Sequence, residues 1–571
     1  MDREKRLLAL FTLAGILLRL LLLLQYAKHN PFYDHPILDS VVYLDWSQAI
    51  LENKVFFAQE YHHPPGYAFF LAAIFKITGI NYFAVLFFQS LLLALDGVLV
   101  FLITRCLSGS VQAWIAFALF SFCGPVVFYS MKILSETLYC SLLLLAFFWL
   151  LQFLRTSRQS LALLAGLFLG AAIEVRGNAM ICLIPCFLVL AFRVPRGPSL
   201  RAIALMIGGV LVFMLPVLTR NVLTAHAWTA AASNWGENFY FANNPDATGT
   251  FSPAQGIGTN LQDQIRGVQQ EASKRSGRNL TSLEAQRFWF REGLRFVTTQ
   301  PMDWIRLELQ KVQRLFSFRE ASSMYFFSLE TKYFGLPLRT LFVGSSLILI
   351  LSFAGVAFLP LRVETHLLLG FIVSQVLLLL VFWPELRFLL PLFPFLIPIA
   401  AGAVPLPWSF PVMKAQTVIA VAGILICLGL NLIPLHGTGG TEAWYTNASA
   451  ALFSRGDFGK ASVMAERAVQ LNPAYENGWV NLGAALFSSG QIAPARQAWQ
   501  KALNLQKDDP VALRNLALSY EEEDPELALE YWDNCLAAAR SRQFPAAELS
   551  AIEQQITQLK SNTKPTVPQL P

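Results

Sequence analysis

The chain repeatedly runs for about twenty residues with almost no charge, and no other feature limits its fold as strongly. A bilayer core about 30 Å thick is crossed by roughly 20 apolar residues in a helix. Backbone polar groups inside it must be satisfied within the chain, so such runs fold as helices. The first run is Leu7–Leu24, after MDREKR. No small-residue cleavage site follows, so it reads as an uncleaved first helix and not as a signal peptide. Further runs lie at 83–103, 111–129, 133–153, 160–175, 178–192, 202–219, 338–360, 365–382, 386–404 and 415–434. Together they predict about eleven spans. The run 66–80 is shorter and follows Pro64-Pro65-Gly66, which predicts an interfacial or re-entrant helix. Composition agrees, with 55% hydrophobic and 14% charged residues, against about 45–50% and about 25% in soluble chains. A string of soluble domains is excluded. A net charge of +6 is too small for a nucleic-acid binder of this length.

That charge is unevenly placed. Residues 1–440 carry +10 and residues 441–571 carry −4. With the N-terminus in the cytoplasm, Arg3, Lys5, Arg6, Arg105, Arg155, Arg158, Arg193, Arg196, Arg201, Arg362 and Lys414 flank the inner ends of the spans. This is the bias that orients membrane helices. An odd number of spans then places the tail outside. Three regions face out on this topology: 28–65, a long loop 220–335, and the tail. Most of the seven cysteines lie in apolar runs and only Cys535 lies clearly in a soluble region, so no disulfide framework is read.

The tail repeats with a period of 34. Gly456 recurs as Gly490, Ala461 as Ala495, Ala468 as Ala502 and Leu471 as Leu505. Asn481-Leu482-Gly483 recurs as Asn515-Leu516-Ala517, while Trp499 recurs as Trp532 after 33 residues, implying one deletion. The pattern resembles tetratricopeptide repeats, pairs of helices that pack through small residues. It implies a helical solenoid over 441–561, followed by a disordered segment 562–571.

The first outer loop carries the chemistry. In LDSVVYLDWSQAI, Asp39, Tyr43 and Trp46 share one face if the segment is helical. Asp39 is read either as a solvated surface carboxylate or as a base at the membrane surface, with Asp34 and Asp45 as competitors. This loop, with YHHPPGYAFFLAAIFKITG, is similar to the first outer loop of polytopic C-superfamily glycosyltransferases. Those include the protein O-mannosyltransferase and aminoarabinose lipid A transferase relatives. PVVFYSMKILSETLYC, VRGNAM, RNVLTAHAWTAAASNWGENFYFANNPDATGTF, PMDWIRLELQK and WPELRFLLPLFPFLIPIA follow in the order of that family, so the resemblance covers about 1–435.

The resemblance implies a polyprenyl-phosphate-linked sugar as donor and an inverting transfer outside the cytoplasm. It implies Asp39 as general base, because only Asp39 has Tyr43 at the family's spacing. A carboxylate in that role contributes about 10²–10⁴-fold, and cations beside the leaving phosphate stabilise its growing charge. Arg387, Arg220, Arg176, Lys132 and Lys311 fall on the same face and are candidate phosphate ligands, with Tyr43, Glu136, Glu385 and Asn221 in support. Arg176 and Arg387 read equally as interfacial anchors, and Glu136 as a helix cap. Glu60, His62 and His63 could supply ligands to a divalent metal, although a hydrogen-bonded turn explains them as well.

The resulting expectation is an all-α chain. Residues 1–437 form a polytopic glycosyltransferase-like membrane domain, and the repeats form a surface for a protein partner or acceptor. Such a chain sits in a cell membrane, of bacterial inner-membrane type, with the repeats on the periplasmic or external side. Two rival classes remain. A transporter places ionisable groups deep in the spans, where Arg19 and Asp96 are the exceptions to the surface cluster. A non-catalytic scaffold needs only an anchor for the repeats.

Overall fold

The computed structural model describes residues 2–52, 61–225, 228–229, 234–251, 257, 261–335, 343–404, 415–434, 440–542 and 544–563. Among them the fold is all-α, with a single isolated bridge between Cys123 and Val343. The chain divides into two compact units, Met1–Gly439 and Gly440–Pro571.

The first unit begins with α1 (Asp2–His29), α2 (Asp39–Leu51), α3 (Gly66–Thr78), α4 (Tyr82–Ser108), α5 (Ser110–Ser121) and α6 (Gly124–Ser130). It continues with α7 (Glu136–Thr156), α8 (Gln159–Val175), α9 (Leu183–Arg193), α10 (Arg196–Ala225), α11 (Trp235–Ala242), α12 (Leu261–Ser276) and α13 (Ser282–Thr299). It ends with α14 (Pro301–Leu315), α15 (Phe327–Tyr333), α16 (Ser345–Val356), α17 (Val363–Val381), α18 (Leu386–Ala403, with one 3-10 turn) and α19 (Ala415–Leu432).

Among the described residues seven helices, α1, α4, α7, α10, α17, α18 and α19, are long and apolar enough to cross a membrane. Shorter apolar helices are α3, α5, α8, α16 and the stretch Gly177–Arg193. The apolar run 111–129 departs from expectation, being two helices and not one. Gly124-Pro125 breaks it, because proline has no N–H to continue a helix but suits the first turn of a new one. The freed backbone at the break pairs with Val343: Val343 N donates to Phe122 O at 2.7 Å and Gly124 N to Val343 O at 2.9 Å. The expected span at 338–360 is helical over Ser345–Val356, while 336–342 lies outside the described residues.

Small residues set the closest approaches. A methyl on Gly166 would collide with the Met206 carbonyl, so α8 and α10 meet backbone to backbone. A methyl on Gly66 would lie 2.5 Å from Glu174 O, and this fixes the start of α3 against the end of α8.

The second unit is a stack of helices: α20 (Thr441–Ser454), α21 (Phe458–Leu471), α22 (Glu476–Ser488), α23 (Ile492–Leu505), α24 (Pro510–Tyr520), α25 (Pro525–Ser541) and α26 (Ala546–Thr563). α21, α23 and α25 start 34 and then 33 residues apart, so the missing residue falls before α25. Ala461, Ala495 and Ala528 are fully buried at the same step, as are Ala468, Ala502 and Cys535. Gly456 and Gly490 take φ +78° and +79° in equivalent turns, a conformation that only glycine adopts at no steric cost.

Candidate functional site

α2 starts under strain. Leu38, just before it, has φ +50° and ψ −122°, a region that costs a branched side chain energy. The segment is held there by Tyr325, whose hydroxyl accepts from Ile37 N at 3.2 Å and hydrogen-bonds Ser40 Oγ at 3.2 Å. The Tyr325 carbonyl in turn accepts from Tyr129 Oη at 2.9 Å. Asp39 is the first residue of the helix.

The structure brings Asp39 and Arg387 together although 348 residues separate them. Arg387 Nη1 lies 2.8 Å from Asp39 Oδ2, and its Nε lies 3.4 Å from Glu385 Oε2. Nη2 donates to Ser323 Oγ at 3.3 Å, and Phe388 lies under the guanidinium at 4.4 Å. Glu385 is fixed by the Ser323 backbone N–H at 3.1 Å and hydroxyl at 2.8 Å. Arg387 is buried, whereas the Asp39 side chain is 29% exposed. The carboxylate therefore keeps an open side for a substrate. Burial raises the Asp39 pKa, but Arg387, His63 and Arg176 outweigh it and hold the carboxyl below its usual range.

A second ion pair flanks the first. Arg176 Nη1 lies 3.2 Å from Glu136 Oε1, and the Arg176 guanidinium also lies over the ring of Phe388, at 4.8 Å. Glu136 is the first residue of α7, so it is placed by the helix start but is partnered by charge. Tyr43, one turn beyond Asp39, is buried and donates to Ser135 Oγ at 3.4 Å. Burial, reinforced by Asp39, pushes its phenol up to about 12. Trp46 packs on Tyr61 at 5.6 Å and on His63 at 6.4 Å. Asp39, Tyr43 and Trp46 thus share one face, while Asp34 and Asp45 are exposed.

The remaining cations lie elsewhere. Lys132 is sealed: its Nζ contacts Glu330 Oε2 at 2.5 Å and is surrounded by the rings of Tyr26, Phe128 and Tyr325 at 4.4–4.6 Å. Enclosed in this way, its charge is met by Glu330 and not presented to an open surface. Lys311 is likewise fully buried, bound to Glu308 Oε1 at 2.7 Å, Leu380 O at 2.9 Å and Asn243 Oδ1 at 3.2 Å. It ties the long loop to the end of α17. Arg220 lies over Tyr61 at 4.1 Å and donates to Asn221 Oδ1 at 2.8 Å. Asn221 donates to Thr229 O at 2.9 Å, so this pair braces the loop beyond the aromatic wall.

His62 and His63 face different partners. His62 Nε2 is 3.3 Å from Glu237 Oε1, and His63 Nδ1 is 3.3 Å from Asn234 Nδ2. Their rings meet edge to face. Burial and His62 push His63 down to about 3, so it is neutral near pH 7. Glu60 lies outside the described residues. Among the described residues no three His, Cys, Asp or Glu side chains converge as metal ligands. Ser323, Met324 and Tyr325 were not foreseen. They sit at the end of the long loop in a segment with no motif, and nothing local signals their role.

Residues 62–220 match the family model described as dolichyl-phosphate-mannose-protein mannosyltransferase. No curated protein matches the chain. Among solved structures, the archaeal oligosaccharyltransferase AglB from Archaeoglobus fulgidus with an inhibitory peptide and a dolichol-phosphate is 13% identical. It covers 92% of this chain and 59% of its own, with a TM-score of 0.38. The oligosaccharyltransferase of the same organism with Zn and sulfate is 14% identical, covering 80% of this chain and 57% of its own, with a TM-score of 0.39. The chain spans less than two thirds of the length of these structures, and at such TM-scores the likeness carries no weight for the site. The family match includes Lys132, Glu136, Arg176 and Arg220, but Asp39 and Arg387 fall on either side of it. Over residues 62–220 the chain thus matches the dolichyl-phosphate-mannose-protein mannosyltransferase family, and the resemblance to polytopic C-superfamily glycosyltransferases read from the sequence stands on that match.

Proposed function

We propose that the chain is a membrane glycosyltransferase that moves a sugar from a polyprenyl-phosphate-linked donor to a protein, lipid or glycan acceptor. The reaction runs on the non-cytoplasmic face. The observation that carries this reading is the 2.8 Å contact between Arg387 and the partly exposed Asp39, a base and a phosphate-binding group side by side. The acceptor hydroxyl attacks the anomeric carbon and gives its proton to Asp39. The bond from that carbon to the phosphate oxygen breaks, and the electron pair leaves with the lipid phosphate. Arg387 meets the growing charge with its planar fork, and Arg176, over the same Phe388 ring, supports it. Displacement from the opposite side inverts the anomeric centre.

A cavity of about 600 Å³ supports the lipid half of the donor. Apolar residues of α16, α17 and α18 line it, among them Leu349, Phe353, Ile372 and Leu396. Arg314, Arg319 and Glu320 line it as well, as does Leu386, next to Arg387. In this reading the odd number of spans brings the repeat unit out on the non-cytoplasmic side, where its surface holds a protein partner or acceptor.

Mass spectrometry of envelope glycans and glycoproteins, with and without the protein, identifies sugar and acceptor. The purified full chain in nanodiscs then transfers that sugar, and Asp39→Asn lowers the rate about 10²–10⁴-fold. Full activity in Asp39→Asn would overturn the base. Movement of a solute without transfer would replace this reading by a transporter.

A further inference from the structure

Helix α14 has two apolar faces. One carries Leu307 and Leu315, with Lys311, and is buried against the protein. Met302, Ile305 and Leu309 fall on the opposite side at 100° per residue. They are 65%, 43% and 63% exposed. A helix at a water-facing surface has no reason to carry such a stripe opposite its core face.

The helix is also fixed in height. Lys311 donates to Leu380 O at 2.9 Å, at the end of α17. Gln313 donates to Ile433 O at 2.8 Å, and Asn431 to Phe316 O at 2.8 Å, both at the end of α19. Two spanning helices thus end against the last turns of α14, which puts the helix at the level where their apolar lengths stop. The preceding helix, α13, joins α14 through Gln300 alone and exposes Arg287, Arg291 and Arg295 at every fourth position. Arg306 lies exposed beside the apolar stripe. Arginines beside an apolar stripe suit a surface of anionic headgroups over acyl chains.

We propose that α14 lies in the interface of the leaflet where α17 and α19 end, with Met302, Ile305 and Leu309 in lipid and the arginines at the headgroups. Arg314, Leu315 and Phe316, the last turn of this helix and the residue after it, line the cavity of about 600 Å³. A membrane-seated α14 therefore holds the mouth of that cavity level with the leaflet. The proposal concerns where the helix lies and is independent of the chemistry at Asp39.

The test is spin-label accessibility in the full chain, reconstituted in nanodiscs, in a Cys106→Ser background because Cys106 is the partly exposed native cysteine. Labels are placed by Met302→Cys, Leu309→Cys and, on the polar face, Gln310→Cys. At 302 and 309 the ratio of oxygen to nickel-chelate collisions is expected to be several-fold higher than at 310. Discs with anionic lipid should deepen both labels relative to zwitterionic discs. Equal access of the chelate to 309 and 310 would overturn the proposal in favour of water. Protection of 302 and 309 from both reagents would overturn it in favour of a protein cover.

Discussion

The two units of the chain treat charge in opposite ways. In the membrane body Lys132, Glu136, Glu237, Lys311, Glu330, Glu385 and Arg387 are all buried. In the repeat unit Asp509 is the one buried charged residue among the described residues, and pairs such as Arg540–Glu553 and Lys460–Asp457 stand in solvent. The repeat unit keeps its shape through apolar and small residues, and its charges are free to vary. The body takes charges out of water, which costs several kcal/mol per ion. That cost is offset only where each ion meets an opposite one. The places where the body does so are therefore the places to look for function, or for the framework that supports it.

Breaking a buried pair should produce the largest loss of stability. Lys132→Met removes the ammonium beside the buried Glu330, which Asn30 also contacts, and should cost about 3–5 kcal/mol, read as a lowered unfolding midpoint of the purified chain. Adding Glu330→Met should recover much of it. If the single variant unfolds like wild type, the contrast between the units fails at its strongest point.

The Asp39–Arg387 pair sharpens the contrast through pH. The base proposed at Asp39 works only when ionised. Its folded pKa is depressed, so activity is fully present above the ordinary carboxylate value of about 4 and is lost as pH falls through a lower folded value. The acid limb of kcat/KM should lie below that range. In Arg387→Met burial acts with its main opponent gone, and the limb should move upward in the residual activity.

In the repeat unit the sensitive positions are steric. A methyl on Gly483 would run into the indole of Trp499, whose Nε1 donates to Val480 O at 3.1 Å. One repeat later Ala517 is accommodated, and Trp532 there points its Nε1 to Glu521 at 2.9 Å. Gly483→Ala should cost about 1–3 kcal/mol in the unfolding of the repeat unit. Arg540→Ala, which breaks an exposed pair, should stay within about 0.5 kcal/mol of wild type in the same measurement.

Much of the fold was legible because its signals are local. Apolar runs of bilayer length at Tyr82–Ser108 or Val363–Val381 can hardly be anything but helices, and the 34-residue step predicts equivalent turns at Gly456 and Gly490. The break at Gly124-Pro125 was equally local, yet the run 111–129 hid it, since hydropathy averages over a proline. Of the site, the face made by Asp39, Tyr43 and Trp46 could be read from helical spacing. Ser323, Met324 and Tyr325 could not, since they act through distant contacts: Tyr325 on Ile37 and Ser40, 288 and 285 residues away, and Ser323 and Met324 on Glu385 and Arg387, 62 and 63 residues away.

The sequence by itself determined the helices, the membrane body, the repeat period and the short set of residues able to do chemistry. These follow from hydropathy, spacing and residue type, which need no partner. The tertiary structure alone decided which of five cations stands against Asp39. It chose Arg387 with Arg176 nearby, sealed Lys132 against Glu330, and used Lys311 to tie a loop to a span. An ion's role depends on what it is paired with when water is removed, and that pairing exists only after distant segments have packed.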